Sequence, residues 1–378
     1  MATIIEGTNG RDVIYQDWDE EVEVYAYGGN DDIYLNLVNR YGGYNYVEAG
    51  SGDDYVQNGF EGGNDIYLGS GNDLYVHDGI AIDYDSYDRV FGESGNDTFE
   101  VETLQSDYYG GSGKDVFKTA GYNNYFDGGD GVDTINYSLQ DSTELEGIGV
   151  YLNLDEGFAE VGNDGYEEFD DIENATGTGW HDTIIGTAGA NVLKGLNGED
   201  QLEGLEGDDD LYGGNGNDTL YGDDGYDNLF GEKGHDDLYG GTGEDDLSGG
   251  KGYDNLSGGK GRDVLIGGLG SDLLNGGKGA DNFDFNSVDD SVVGSNRDEI
   301  VDFNRGQGDV IDLSGIDANE NSGGNQSFDF IGTSGFSGTA RELRYNGHII
   351  AGDVDGDGSA DFQIEANLTQ YFADDFVL

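Results

Sequence analysis

Proline and cysteine are both absent from this 378-residue chain, and basic residues are scarce: Lys and Arg total 15 against 81 Asp and Glu, a formal net charge of −66. Each shortage excludes something. Without cysteine there is no disulfide framework, no thiolate nucleophile and no cysteine-held metal. Without proline, every backbone N–H can join a strand ladder, and no X–Pro isomerisation slows folding. A surface so poor in positive charge is unsuited to nucleic acid. No apolar run reaches the length that spans a bilayer. The opening segment MATIIEGTNGRDVIY lacks the basic stretch and apolar core of a secretory leader, so no leader-dependent export is expected. Charge at this density opposes compaction and would ordinarily mark disorder. Yet 12% of the residues are aromatic, which disorder does not favour. A fold that depends on cations reconciles the two.

What is abundant is glycine, 71 residues, and it recurs with a period. The stretch GGKGRDVLIGGLGSDLLNGGKGADNFDF, residues 258–285, restarts the same phrase three times. From Gly177 the phrase returns every nine residues without a slip, twelve units covering residues 177–284. Its sixth position is Asp182, Asp200, Asp209, Asp218, Asp227, Asp236, Asp245, Asp254, Asp263, Asp272 and Asp281, with Asn191 the single exception. The eighth position is always apolar, from Ile184 and Leu193 through Leu274 to Phe283. Each unit reads as a six-residue turn followed by a three-residue strand with one inward side chain. If two units make one coil of a parallel solenoid, the aspartates stack above one another. Carboxylates and turn carbonyls are hard oxygen ligands, and a flexible cage of them favours Ca²⁺ over Mg²⁺. One buried leucine returns about 2–3 kcal/mol, far less than the entropy lost in ordering nine residues. The turns therefore need the metal to close.

This nonapeptide resembles the calcium-binding repeat of RTX (repeats-in-toxin) proteins. The resemblance implies an all-β fold, a right-handed parallel β-roll with Ca²⁺ stacked between successive coils. Its ions are held by the sixth-position aspartates and loop carbonyls. Twelve units one coil apart would offer about ten internal sites.

Earlier in the chain the motif is sparser. It supplies Asp12, Asp31, Asp54, Asp73, Asp97, Asp115 and Asp133 as further candidate ligands, separated by 18 to 24 residues. That is one whole coil rather than half. The expectation is a degenerate roll over residues 1–137 whose calcium turns survive on one side. EGGNDIYL adds an extra copy, with Asp65, eight residues before Asp73. This region holds 18 of the 26 tyrosines, counting to Tyr151. Two readings stand side by side: an aromatic surface for a glycan or partner, or tyrosines filling the eighth position and its neighbours in a broader core.

Residues 138–176 break the glycine rhythm, and GVYLNLDEGFAEVG alternates like a strand pair. They are expected to connect the two rolls. From residue 285 the nonapeptide stops. The stretches FDFNSVDDSVVGSNRDEIVDFNRGQGDVIDLSGID and DVDGDGSADFQIEANL resemble the C-terminal module of serralysin-type secreted proteins. That implies a β cap over residues 285–378. Asp353, Asp355, Asp357 and Asp361 are spaced like the start of a calcium loop, but Ile364 stands where an EF-hand needs Glu. A metal loop and a tight structural turn are both open readings. The ending ADDFVL resembles the uncleaved signal read by ABC-type (type I) exporters, which implies a secreted, extracellular protein.

No HExxH or GxSxG pattern is present, so neither a metalloprotease nor a nucleophile-elbow hydrolase is supported. A non-enzymatic calcium-binding protein with a structural or adhesive role outside the cell is the expectation. The alternatives are an accessory module for an extracellular polysaccharide and a small effector acting on host cells.

Overall fold

The computed structural model describes residues 2–16, 21–37, 44–60, 62–77, 87–140, 149–162 and 165–378. The chain forms two compact units, Met1–Gly186 and Thr187–Leu378. The first nonapeptide of the regular array, residues 177–185, lies in the first unit.

In the second unit, strand Val192–Asn197 pairs in parallel with Asp210–Asn215, and the ladder continues through Asn228–Lys233, Asp246–Gly252 and Val264–Gly270. The intervening strands Gln201–Glu203, Thr219–Asp224, Asp237–Thr242, Asn255–Lys260 and Leu273–Lys278 form the facing ladder. Leu211 stands opposite Leu229 and Leu220 opposite Leu238, so one coil is two nonapeptides. Every eighth-position residue from Leu193 to Phe283 is buried, and these residues are the apolar interior of the array. A core one side chain thick forces the coils together. Gly243 has φ +153°, and a Cβ there would lie 1.4 Å from the carbonyl oxygen of Gly225 in the coil before it. Glycine is required at that turn position because backbone occupies the side chain's place.

The cap extends both ladders. Glu299–Ile300 pairs with Leu273–Lys278, and Val310–Asp312 pairs with Asn282–Asp284. An antiparallel pair, Glu342–Asn346 with Ile349–Asp353, leads to Phe362–Ala366, which pairs with Glu299–Ile300. The chain ends in Phe376–Val377, laid beside Ile311 and Asp312. These strands cover edges that would otherwise be open to pairing with another chain.

The first unit repeats the coil with longer and less regular turns. One ladder runs Thr3–Glu6, Val22–Tyr25, Tyr46–Ser51, Asp65–Ser70, Arg89–Ser94, Asp107–Gly113 and Tyr125–Gly131. The facing ladder begins at Val13–Gln16 and reaches Thr134–Asn136. Rings replace leucines inside: Phe99 stacks on Phe117 at 4.9 Å and Tyr108 on Phe126 at 5.4 Å. The segment after residue 149 forms the expected strand pair, Val150–Asn153 antiparallel to Phe158–Val161.

The tyrosines divide differently from the core reading. Tyr75, Tyr108 and Tyr137 are buried. An outward row instead runs Tyr25, Tyr46, Tyr67, Phe91, Tyr109 and Tyr125, with neighbouring ring centroids 4.8–5.9 Å apart. Tyr67, Phe91 and Tyr109 are 4.8 Å apart with planes within 11° of parallel, so their faces lie on one another and their edges point outward. Such cross-strand ring pairs stabilise the sheet that carries them. They leave the faces of this trio little room to stack on a sugar.

Candidate metal centre

The turn between strands brings the sixth-position aspartates into columns. In each column the backbone N–H of one aspartate donates to Oδ1 of the aspartate one coil later. In the second unit one column runs from Asn191 through Asp209, Asp227, Asp245 and Asp263 to Asp281, with N···O distances of 2.7–3.1 Å. The other runs Asp200, Asp218, Asp236, Asp254 and Asp272 at 2.8–2.9 Å. In the first unit a single such column joins Asp12, Asp31, Asp54, Asp73, Asp97, Asp115 and Asp133 at 2.7–2.8 Å.

Only one carboxylate oxygen is used by this bond. The other, Oδ2, is buried and without a hydrogen-bond partner in Asp31, Asp54, Asp73, Asp97, Asp115 and Asp133. The same holds for Asp209, Asp227, Asp236, Asp245, Asp254, Asp263, Asp272 and Asp281. A buried, unpartnered carboxylate oxygen is strongly unfavourable, and its recurrence in one position calls for a cation. The surroundings are oxygen-rich. The spot that a Cβ on Gly231 would fill lies 2.5 Å from Asp236 Oδ2 and 2.7 Å from the carbonyl oxygen of Gly249. Gly222, Gly240 and Gly249 stand in the same relation to Asp227, Asp245 and Asp254. Carboxylate and carbonyl oxygens converging beside a missing side chain fit a hard divalent cation.

Burial dominates the electrostatics of these columns. It raises Asp73, Asp97, Asp209, Asp236, Asp245, Asp263 and Asp272 to about 7, against the pull of the backbone N–H that each accepts. Neighbouring carboxylates add to the rise at each of them. A bound dication reverses both effects, because it supplies the charge that the buried carboxylates lack.

Two expected ligands stand apart. Thr8 closes its own turn on Asp12, with N to Oδ2 at 2.6 Å and Oγ1 to Oδ2 at 3.0 Å. Thr178 does the same to Asp182, through N to Oδ2 at 2.7 Å and Oγ1 to Oδ1 at 2.9 Å, and Val150 N donates to Oδ1 at 2.8 Å. Asn191 is closed likewise by Thr187 N at 2.7 Å. All three sequences read Gly-Thr at the start of the turn, and the threonine does locally what a cation would do elsewhere. Asp65 also departs from the motif: it faces outward and pairs with Arg89 through Nε and Nη2, both at 2.7 Å.

Other residues had no place in the repeat. Asp298 accepts from Asp272 N at 2.9 Å and Asp309 from Asp281 N at 3.2 Å, so both columns continue into the cap. Asp298 Oδ2 is buried and unpartnered like those before it. The trace in the sequence was Asp followed two residues later by the buried Ile300 and Ile311. The loop at Asp353 serves as a turn: Asp353 accepts from Gly356 and Gly358 N, and Asp361 from Val354 N. Asp353, Asp355 and Asp361 also lie close enough to share an ion, so the turn meets the geometry of a metal loop as well.

On the other side of the first unit the column has a different chemistry. Asn45 N donates to Asn64 Oδ1 at 3.0 Å, Asn64 N to Asp88 Oδ1 at 2.9 Å, Asp88 N to Ser106 Oγ at 3.1 Å and Ser106 N to Asn124 Oδ1 at 3.0 Å. It ends on Glu167, which accepts from Asn124 Nδ2 at 2.9 Å, Thr119 Oγ1 at 3.0 Å and the Tyr137 hydroxyl at 2.7 Å.

Comparison with known proteins agrees with this geometry. Residues 161–378, more than half of the chain, match the family described as Peptidase M10 serralysin C terminal. The chain belongs to the serralysin C-terminal family. Residues 83–101 and 109–143 match the RTX calcium-binding nonapeptide repeat. RTX repeats form β-rolls that bind several Ca²⁺ ions, so this member of the family is a calcium-binding RTX-type protein, and both modules are typical of secreted proteins. Among solved structures it is similar to the AlgE6R3 subunit of the Azotobacter vinelandii mannuronan C5-epimerase, at 27% identity over 45% of this chain and 77% of that one, with a TM-score of 0.18. No curated protein matches the chain.

Proposed function

We propose that the protein leaves the cell through an ABC-type exporter as an open chain and folds outside on Ca²⁺ into β-rolls with a structural or adhesive role. The observation that carries this reading is the column of buried aspartates whose second oxygen has no partner. Asp31, Asp54, Asp73, Asp97, Asp115 and Asp133 would hold ions in the first unit. Asp200, Asp209, Asp218, Asp227, Asp236, Asp245, Asp254, Asp263, Asp272 and Asp281 would hold them in the second, with turn carbonyls completing each set. When bound, the metal supplies charge neutralisation and ligand bonds that join one coil to the next.

The aspartates prepare that step. Each is fixed by the N–H of the preceding coil, so its free oxygen is already aimed when the coils meet. Without metal, carboxylates stacked every coil repel one another and hold the chain open. Burial of residues 375 and 376 bears on export before folding. In the folded protein Asp375 is buried against Arg305, whose Nη2 lies 2.6 Å from Asp375 Oδ2, and Phe376 is buried beside it. If an exporter reads this segment, it is accessible for that only in the open chain. We read the chain as non-enzymatic, since its sequence carries no HExxH or GxSxG pattern.

Calcium titration of the metal-free protein, followed by far-ultraviolet circular dichroism with Mg²⁺ as control, tests the proposal. A cooperative gain of β-structure with Ca²⁺ and not Mg²⁺ is expected, in the 10⁻⁴–10⁻³ M range typical of extracellular modules. A full β-signal in chelator, unmoved by Ca²⁺, would overturn it.

A further inference from the structure

We infer that the first unit carries a metal-independent spine, a side of each coil that stays paired at calcium concentrations where the regular array has opened. The inference rests on the calcium reading of the aspartate columns and adds a regulation to it: a two-step response to Ca²⁺ within one chain.

The side in question is the turn leading into strands Tyr46–Ser51, Asp65–Ser70, Arg89–Ser94, Asp107–Gly113 and Tyr125–Gly131. At the place where the array has an aspartate with an unpartnered oxygen, these turns have Asn45, Asn64, Asp88, Ser106 and Asn124. The links of Asn64, Asp88, Ser106 and Asn124 are closed by protein groups, while Asn45 Oδ1, at the start of the column, is buried without a partner. Asp88, the one carboxylate among them, takes Gly62 N, Asn64 N and Asn64 Nδ2 on Oδ1 and Asn58 Nδ2 on Oδ2. Both of its oxygens are satisfied with no cation. Asn124 Oδ1 gathers Ser106 N, Gln105 N and Thr103 Oγ1, while its Nδ2 donates to Thr103 O and Glu167 Oε1.

The same strands carry a second support that the array lacks in comparable length. Their outward face holds the row Tyr46, Tyr67, Phe91, Tyr109 and Tyr125, ring on ring across five coils. In the second unit the outward ring pairs Tyr212–Phe230 and Tyr221–Tyr239 each span only two coils. A column whose one carboxylate, Asp88, is hydrogen-bonded on both oxygens meets little of the charge repulsion that opens an aspartate column, and amide and hydroxyl bonds do not depend on metal. Calcium withdrawal therefore removes what closes the array on both sides but what closes this part of the first unit on one side only.

Hydrogen–deuterium exchange of the full chain, read by mass spectrometry at stepwise decreasing free Ca²⁺, separates the possibilities. Peptides from strands Asp210–Asn215 to Leu273–Lys278 are expected to lose protection first. At that calcium level, peptides covering Asp65–Ser70, Arg89–Ser94 and Asp107–Gly113 should still exchange at least about tenfold more slowly. Loss of protection in both sets at one calcium concentration overturns the spine. Protection that ignores calcium throughout overturns the underlying metal reading instead. The variant Asn124→Ala should bring the first unit's loss toward that of the array. An unchanged gap would show that the column is not its cause, and the wild-type chain alone decides the first comparison if the variant does not fold.

Discussion

The two sides of one coil in the first unit solve the same problem with opposite chemistry. On one side Asp54, Asp73, Asp97, Asp115 and Asp133 each accept a backbone N–H from the coil before and keep a second oxygen buried without a partner. On the other, Asn64, Asp88, Ser106 and Asn124 accept the same N–H from the coil before and satisfy the rest of the turn with amides and hydroxyls. The backbone demand is identical, since in both cases a parallel coil must hand one N–H to a side chain of the next. What differs is whether the acceptor keeps a buried oxygen without a partner after that bond. Where it does, the proposed reading makes folding conditional on a cation. Where it does not, the same reading lets the coil close without one. Threonine is a third solution, in which Thr8 and Thr187 close their own turns on Asp12 and Asn191.

The strongest way to break the comparison is to remove the coil contact that the aspartate columns presuppose. Gly243→Ala places a Cβ 1.4 Å from Gly225 O at φ +153°, so it should destabilise the calcium-loaded array by more than about 4 kcal/mol. Urea unfolding in saturating Ca²⁺ measures it, and exchange in the first unit should be unmoved. Next is to put charge on the neutral side. Asn124→Asp replaces the donor to Glu167 Oε1, 2.9 Å away, with a second carboxylate. A cost of about 3–5 kcal/mol is expected that added calcium does not repair.

A smaller effect sharpens the same point through pH. Burial lifts Glu167 to about 7, opposed by its bonds from Tyr137, Asn124 and Thr119. The unfolded value is about 4.3. Because the folded value is the higher, this group favours the folded state less as pH rises from about 4 to 7, and its cost is complete above that. Glu167→Gln should therefore stabilise the first unit at pH 8 by up to about 3 kcal/mol and lose its advantage near pH 4. Urea midpoints at the two pH values check the sign. Smallest is Thr187→Ala, which deletes the hydroxyl that braces Asn191 and should cost about 1 kcal/mol with the calcium stoichiometry unchanged. Isothermal titration counts the ions.

The regular array was readable because one residue type repeats at one spacing. Asp200 to Asp281 and the leucines two places on leave a single solution, a two-unit coil with one buried side chain per strand. The neutral column was harder to see because Asn64, Asp88, Ser106 and Asn124 share no side-chain type. Hydrogen-bonding to one backbone N–H is satisfied by amide, carboxylate or hydroxyl alike, so no motif marks it. A positional trace did exist: Asn45, Asn64, Asp88, Ser106 and Asn124 each stand nine residues before Asp54, Asp73, Asp97, Asp115 and Asp133. EGGNDIYL misled for the same reason, since its Asn64 and not its Asp65 occupies the inward place. The outward tyrosines escaped because positions seven and nine follow the same alternation as the core, displaced by one residue. Asp298 and Asp309 were obscured by insertions that stretch the coil spacing to 26 and 28 residues.

A crystal structure grown in Ca²⁺, with anomalous scattering to identify the ion, tests the central claim most directly. The account predicts metal beside Oδ2 of Asp73, Asp97 and Asp236, within reach of the neighbouring glycine carbonyls, and none in the column from Asn45 to Asn124. Metal in the neutral column, or aspartate columns empty at saturating calcium, would contradict it.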